Sequence, residues 1–194
     1  MQAKPIHLPS RHLNFVRHGA TEANLAGLRC GGDLDVPLTE FGRRQAAEAA
    51  LRIRELRLPV GVIFTSALRR TRETAEIISR LLHGVDVVIE PAFAERRLGE
   101  WNLRPVADTQ AALASGQTPP GGEANDAFLD RIAGAVDSLL PRLGDQPLLV
   151  GSKGVARALR ELLGQRGRQD LSNGQLAHFD LAEIAERSSV GCKA

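Results

Sequence analysis

Aromatic side chains are scarce in this chain: six Phe, one Trp and no Tyr make up 4% of 194 residues. Proteins that hold single-stranded nucleic acid stack bases on aromatic faces, and here there are few to offer. An excess of charge of either sign is also missing, since 25 Lys and Arg stand against 23 Asp and Glu for a formal net charge of +2. Neither nucleic acid nor an anionic membrane is therefore expected as the main partner, and any anion specificity must be local. Cysteine is limited to Cys30 and Cys192, which form neither a disulfide framework nor a metal-ligand spacing, so a reducing cytoplasm is the expected setting. Long apolar runs are absent too. Val60–Phe64 and Leu148–Val150 fall far short of the ~20 residues that span a bilayer. Met1–Ser10, with Pro5, His7 and Pro9, lacks the continuous apolar stretch of a secretory signal. Lysine is rare among the basic residues: Lys4, Lys153 and Lys193 stand beside 22 arginines, and Lys153 is the internal one.

What remains is 43% hydrophobic and 25% charged, the profile of one globular domain over residues 1–194 with room for a sizeable core. Short apolar runs at Leu13–Val16, Val60–Phe64, Val85–Ile89, Leu148–Val150 and Leu176–Leu181 read as buried strands. Helical patterns alternate with them. Thr39 offers an N-cap ahead of Gln45–Leu56, and Arg69–Leu82 carries Thr74, Ala75, Ile78 and Leu82 on one face. Ala124–Leu143 and Val155–Leu163 complete the set. This alternation predicts an α/β layered sandwich, a mostly parallel central sheet flanked by helices. Arg104–Gly122, rich in Pro and Gly, is the one stretch suited to a lid or insertion, and Arg187–Ala194 is expected to fray.

The first strand runs into Arg17-His18-Gly19, followed by Thr21, Glu22 and Asn24. Ligands of open α/β sheets bind at the carboxyl ends of strands, where this tripeptide falls. A histidine there can be nucleophile, base or metal ligand; the adjacent arginine favours an anion over a cation, and glycine permits close backbone approach. Composition alone yields such a tripeptide in about one chain in twenty, so the rest of the sequence must decide. It supplies Asp35-Val36-Pro37-Leu38-Thr39 followed by Gly42 and Gln45, then Thr65-Ser66-Ala67-Leu68-Arg69-Arg70. Further on stand Glu95 with Gly99 and Trp101, and Pro120-Gly121-Gly122-Glu123 ahead of a helix bearing Arg131.

In this order and spacing, covering about residues 13–181, the sequence resembles the histidine phosphatase superfamily, the phosphoglycerate mutase-like proteins. The resemblance implies that His18 attacks phosphorus and becomes phosphohistidine, that Arg17 and Arg70 grip the non-bridging oxygens, and that Glu95 is the acid/base. It implies metal-independent chemistry with no cofactor, on a small phosphorylated metabolite. The roles suit the reaction, because phosphoryl transfer rests on positioning and electrostatic stabilisation, and guanidinium forks match phosphate oxygens. Glu95 needs partial burial to hold a proton at working pH, the alternative being a salt bridge to Arg96 or Arg97. Asn24 and Arg96 are placed to touch substrate. Glu123 and Arg131 read as a structural pair, and Cys30 as a small buried residue.

One element departs from the pattern. The family's second histidine, in His-Gly-x-x-x-Arg, is missing from Gly151-Ser152-Lys153-Gly154-Val155-Ala156-Arg157. Counting back from Arg157 puts Ser152 at its position; a one-residue deletion would put Lys153 there. Ser152 can donate a neutral hydrogen bond, Lys153 can bring an ammonium, and the free N–H groups of the helix that follows favour an anion in either case. A phosphomonoester phosphatase is the leading expectation. A phosphate-binding or regulatory protein that lost turnover with the histidine is the competing class, and a mutase is disfavoured by the short insertion after Glu95. Substrate identity and oligomeric state are not legible.

Overall fold

The computed structural model describes residues 12–165 and 169–182. Cys192, the Arg187–Ala194 terminus and the opening segment Met1–Ser10 lie outside the described residues.

Five strands form one sheet in the order β3-β2-β4-β1-β5: β1 His12–Arg17, β2 Val62–Thr65, β3 Val87–Ile89, β4 Pro147–Gly151 and β5 Leu176–Asp180. All neighbours are parallel except β5, which returns antiparallel along β1. The interior strands β2 and β4 are buried along their whole length, which is why they read as unbroken apolar runs rather than alternating ones.

Successive residues point to opposite faces of a sheet, and here the two faces carry separate cores. Phe15, Phe64 and Leu149 pack with Phe128, Ile132, Val155 and Leu159 on one side. Val16, Ile63, Leu148 and Val150 pack with Ala49, Ala50, Ile53, Ala75 and Ile78 on the other. The first side is covered by α5 Asn125–Leu139 and α6 Lys153–Leu162, the second by α2 Glu40–Glu55 and α3 Arg69–Leu81. The result is the single-domain α/β sandwich that the alternating pattern predicts. No helix among the described residues is long and apolar enough to cross a membrane.

Caps and breakers set the helix limits. Thr39 Oγ1 accepts from Gly42 N at 2.9 Å, starting α2 at Glu40. The run expected to continue to Leu143 leaves α-geometry at Leu139 and finishes as a 3-10 turn over Leu140–Asp145, because Pro141 lacks the N–H that an α-helix needs. Two helices were hidden in the sequence. α1 Glu22–Leu25 is a single turn closed by a Thr21/Asn24 capping box. α4 Val106–Ala114 lies inside the Pro/Gly-rich Arg104–Gly122 stretch, where the flanking breakers mask its Ala-rich centre.

The carboxyl ends of β1 and β4 meet side by side. Arg17 is the register partner of Gly151, and His18 N–H donates to Gly151 O at 2.9 Å just beyond the sheet. The loop leaving β1 then runs against the start of α2 so closely that a Cβ on Gly19 would overlap the carbonyl of Gly42, and one on Gly42 that of Ala20. Glycine at both positions is what admits this approach.

Candidate active site

His18 is fixed from every side. Its carbonyl accepts from Asn173 Nδ2 at 2.9 Å, the next N–H, of Gly19, reaches Thr74 Oγ1 at 3.2 Å, and Ala20 N–H reaches Gln45 Oε1 at 2.8 Å. The imidazole is 4% exposed and its Nδ1 lies 2.7 Å from Gly19 O. A carbonyl only accepts, so Nδ1 carries the proton and Nε2 is left with its lone pair. Burial, with Arg70 and then Arg17 adding repulsion, holds this imidazole well below the ordinary value of 6.5 against the opposing Gly19 bond. His18 is a neutral group beside two guanidinium cations.

Arg17 lines a cavity of about 650 Å³ that also includes His18, Asn24, Glu95, Arg96 and Lys153 in its wall. Its Nη1 donates to Leu171 O at 2.6 Å, while its Nε is buried with no partner. Burial pushes its pKa below the usual value, opposed by Glu95 and Asp170. Arg70 is fully buried. Leu34 O and Gly31 O accept from its Nη1 and Nη2 at 2.8 and 3.1 Å, and its Nε is likewise unpartnered. It is not among the residues that line the cavity wall, and its charge acts on His18.

Ser152 is the N-cap of α6, yet its hydroxyl makes no cap bond. At 2% exposure its Oγ has no partner. Because Arg17 and Gly151 are register partners, Ser152 and His18 leave the sheet as neighbours. Thr65 Oγ1, at the end of β2, is another buried hydroxyl without a partner. Lys153 stands on the cavity wall, with Nζ 3.8 Å from Asp170 Oδ2. Ser152, the gapless candidate, thus follows the strand end beside β1, while Lys153, the other candidate, faces Asp170.

Glu95 forms no salt bridge of the kind the sequence offers as its alternative. Its Oε1 accepts the backbone N–H of Arg96 at 2.7 Å and its Oε2 that of Gly154 at 2.8 Å, so backbone on two sides holds the half-buried carboxyl at the cavity edge. Arg96 lines the cavity, but its three guanidinium nitrogens reach Glu123 O, Asn125 Oδ1 and Gln117 O at 2.8, 3.3 and 3.5 Å. Arg96 thus lines the cavity as expected of a residue placed to touch substrate, and its guanidinium also anchors the Glu123 loop. Asn24 lines the wall, with Oδ1 accepting from Thr21 N and Asn173 Nδ2 at 3.2 Å each. Cys30 also lines the wall and is half-buried rather than enclosed; burial raises its thiol pKa.

Several cavity residues carried no signal of their own in the sequence. Arg157 served there only to count the register, and here its Nε donates to Asp170 Oδ1 at 2.7 Å with Nη2 on the other oxygen. Arg29 is caught by α4 through Thr109 Oγ1, Val106 O and Gln110 Oε1 at 2.8, 3.3 and 3.0 Å. Asn173, on the wall, and Asp170, the partner of Arg157, come from the chain before β5. Among the described residues no group of three or more His, Cys, Asp or Glu gathers as a metal site.

The comparisons agree with this architecture. Residues 13–188 match the model of the histidine phosphatase superfamily, branch 1. The chain belongs to that superfamily. A relative named fructose-2,6-bisphosphatase TIGAR B, from Danio rerio, is 33% identical over 162 residues, 72% of this chain and 62% of its own length. The chain thus spans under two thirds of that relative. A protein of Escherichia coli O1:K1 named "Probable phosphoglycerate mutase GpmB" is 36% identical over 154 residues, 73% of this chain and 69% of its own. Among solved structures, TTHB049 from Thermus thermophilus superposes with a TM-score of 0.73 at 30% identity, covering 88% of this chain and 94% of that one. A mycobacterial glucosyl-3-phosphoglycerate phosphatase in complex with VO3 gives 0.73 at 28%, covering 87% and 92%.

Proposed function

We propose that this superfamily member is a phosphomonoester phosphatase that works through phosphohistidine on His18 Nε2, with Glu95 as general acid and then general base. One observation carries the reading. A neutral imidazole with its lone pair on Nε2 feels the charges of Arg70 and Arg17, and Arg17 Nε, Arg70 Nε and Ser152 Oγ are buried donors without partners. Buried donors are normally satisfied, and the three non-bridging oxygens of a phosphoryl group would satisfy these.

In the first step the Nε2 lone pair attacks phosphorus, the P–O bond to the alcohol breaks, and Glu95 gives its proton to the departing oxygen. In the second, Glu95 takes a proton from water, the water oxygen attacks phosphorus, and the N–P bond breaks to return neutral His18 and inorganic phosphate. The substrate is a small phosphorylated metabolite, and we place the activity in the cytoplasm on cysteine usage.

The test is rapid quench of the protein with a phosphate-labelled monoester, in wild type and in His18→Ala. An acid-labile, base-stable label on wild type, with phosphate released to water, is expected, and chelators should leave the rate unchanged. Turnover surviving in His18→Ala would remove the assignment. Tight phosphate binding without label or turnover would favour a binding protein, and phosphoryl return to a second hydroxyl a mutase.

A further inference from the structure

The N–H of Gly154 donates to Glu95 Oε2, so the first turn of α6 lies against the carboxyl that, on the reading above, protonates the leaving oxygen. Lys153 and Arg157 flank Gly154 on this helix and both line the cavity. Four positions apart, they share one face. Both cations therefore share the cavity wall with that carboxyl.

Those cations are unequally balanced. Arg157 occupies both oxygens of Asp170 with a guanidinium fork. Lys153 Nζ is left 3.8 Å from the same carboxylate, outside hydrogen-bond distance, with its side chain 31% exposed. One carboxylate serves two cations. Burial first, then the charges of Arg157, Arg17 and Arg29, push the Lys153 ammonium below its ordinary pKa in spite of Asp170. A lysine on a helix surface would be solvated, whereas this one is crowded by like charge. Glu161, one turn beyond Arg157 in the same wall, restores negative charge and bounds the region.

We propose that Lys153 and Arg157 form a second anion subsite on the leaving-group side of Glu95, selecting phosphomonoesters whose alcohol portion itself carries a carboxylate or a second phosphoryl group. The subsite rests on the phosphatase reading for its orientation. It is a property of this chain, because the gapless count puts Lys153 where the family pattern has glycine, which brings no charge.

The test compares kcat/KM of wild type, Lys153→Ala and Lys153→Glu on phosphoglycolate, propane-1,3-diol bisphosphate and n-propyl phosphate, with folding checked by circular dichroism. Wild type should prefer at least one doubly anionic substrate over n-propyl phosphate by about tenfold or more, the size of one charge-assisted contact. The preferred compound identifies carboxylate or phosphoryl as the recognised group. That ratio should fall towards unity in Lys153→Ala and invert in Lys153→Glu. Equal kcat/KM on all three, or a ratio indifferent to residue 153, would overturn the subsite. So would faster turnover of n-hexyl phosphate than of either charged compound, which would place recognition on the apolar wall of α4. If no monoester is turned over, calorimetric titration of His18→Ala and of His18→Ala, Lys153→Ala with the same compounds decides. A preference lost with Lys153 upholds the subsite and defeats the phosphatase reading, and no preference defeats the subsite.

Discussion

Gly154 N–H lies 2.8 Å from Glu95 Oε2, and a Cβ at residue 154 would overlap the other oxygen of the same carboxyl. The position of the proposed acid is thus set by the absence of a side chain on α6. Gly154→Ala should favour the helix intrinsically, by about 1 kcal/mol, yet displace Glu95. A misplacement on the order of 1 Å can cost about a hundredfold in rate. The expected outcome is such a loss on alkyl phosphates with a smaller one on p-nitrophenyl phosphate, whose leaving group needs little protonation. Equal loss on both, with an unchanged melting curve, would detach Glu95 from proton delivery.

The depressed His18 pKa makes a prediction with a definite sign. Between the unfolded value of about 6.5 and the lower folded value, the unfolded chain binds a proton that the native one does not, so stability rises with pH there. The contribution is complete above about pH 6.5 and drains as pH falls from there through the folded value. Asp170, Glu123 and Asp33 are also lowered, from ordinary values of 3.8, 4.5 and 3.8, so their losses begin further towards acid. Urea unfolding from pH 7 to 5 should show a downward slope that His18→Gln flattens. An identical slope in the variant would mean that residue 18 is not the neutral group described here.

The sequence exposed the parts of this site that lie in contiguous runs. Arg17-His18-Gly19 follows an apolar strand, and its neighbours Thr39, Gly42 and Gln45 proved to be the cap, the close approach and the Ala20 partner that shape its loop. Asp170 and Asn173 were illegible, because each acts through partners more than ten residues away and sits in no periodic pattern. The bonds that hold Arg96 were illegible for the same reason, since the Glu123 loop returns from 27 residues away to take its guanidinium. The antiparallel return of β5 was equally hidden, since apolar periodicity carries no strand direction. Glu123 and Arg131, eight residues apart around a helix start, were readable as a pair.

That pair ties the Pro120–Glu123 turn to α5. Arg131 Nε and Nη2 meet the two Glu123 oxygens at 3.0 and 2.8 Å, and Nη1 adds Ala92 O and Ala94 O at 2.6 and 3.0 Å. Glu123 is 7% exposed, so removing its partner leaves a buried carboxylate. Arg131→Ala should cost about 3 kcal/mol, read as a shift in the urea midpoint. Replacing both residues, with Glu123→Leu and Arg131→Met, should recover much of that loss. A midpoint shift under about 0.5 kcal/mol for Arg131→Ala would place the pair among ordinary surface contacts.

The unpartnered hydroxyl of Ser152 gives the last prediction. A buried hydroxyl with no hydrogen bond costs stability, so Ser152→Ala should leave the ligand-free protein equally stable or slightly firmer. If that hydroxyl donates to the transferring phosphoryl group, the same variant should lose about tenfold in kcat/KM. A structural serine would give the reverse, lower stability with turnover intact. Ser152→His asks the complementary question by restoring the residue that the family pattern carries there. A protonated imidazole beside Arg17 and Arg70 adds a charged donor where negative charge is gripped, worth up to about a hundredfold in kcat. Because only the protonated form donates charge, the gain should shrink as pH rises through the imidazole range, a dependence that Ser152 itself cannot confer. Steady-state kinetics of both variants from pH 5.5 to 8.5, with melting curves alongside, read all of this. A rate gain independent of pH would assign the improvement to packing, and no loss in Ser152→Ala would remove Ser152 from the phosphoryl pocket even if the histidine variant does not fold.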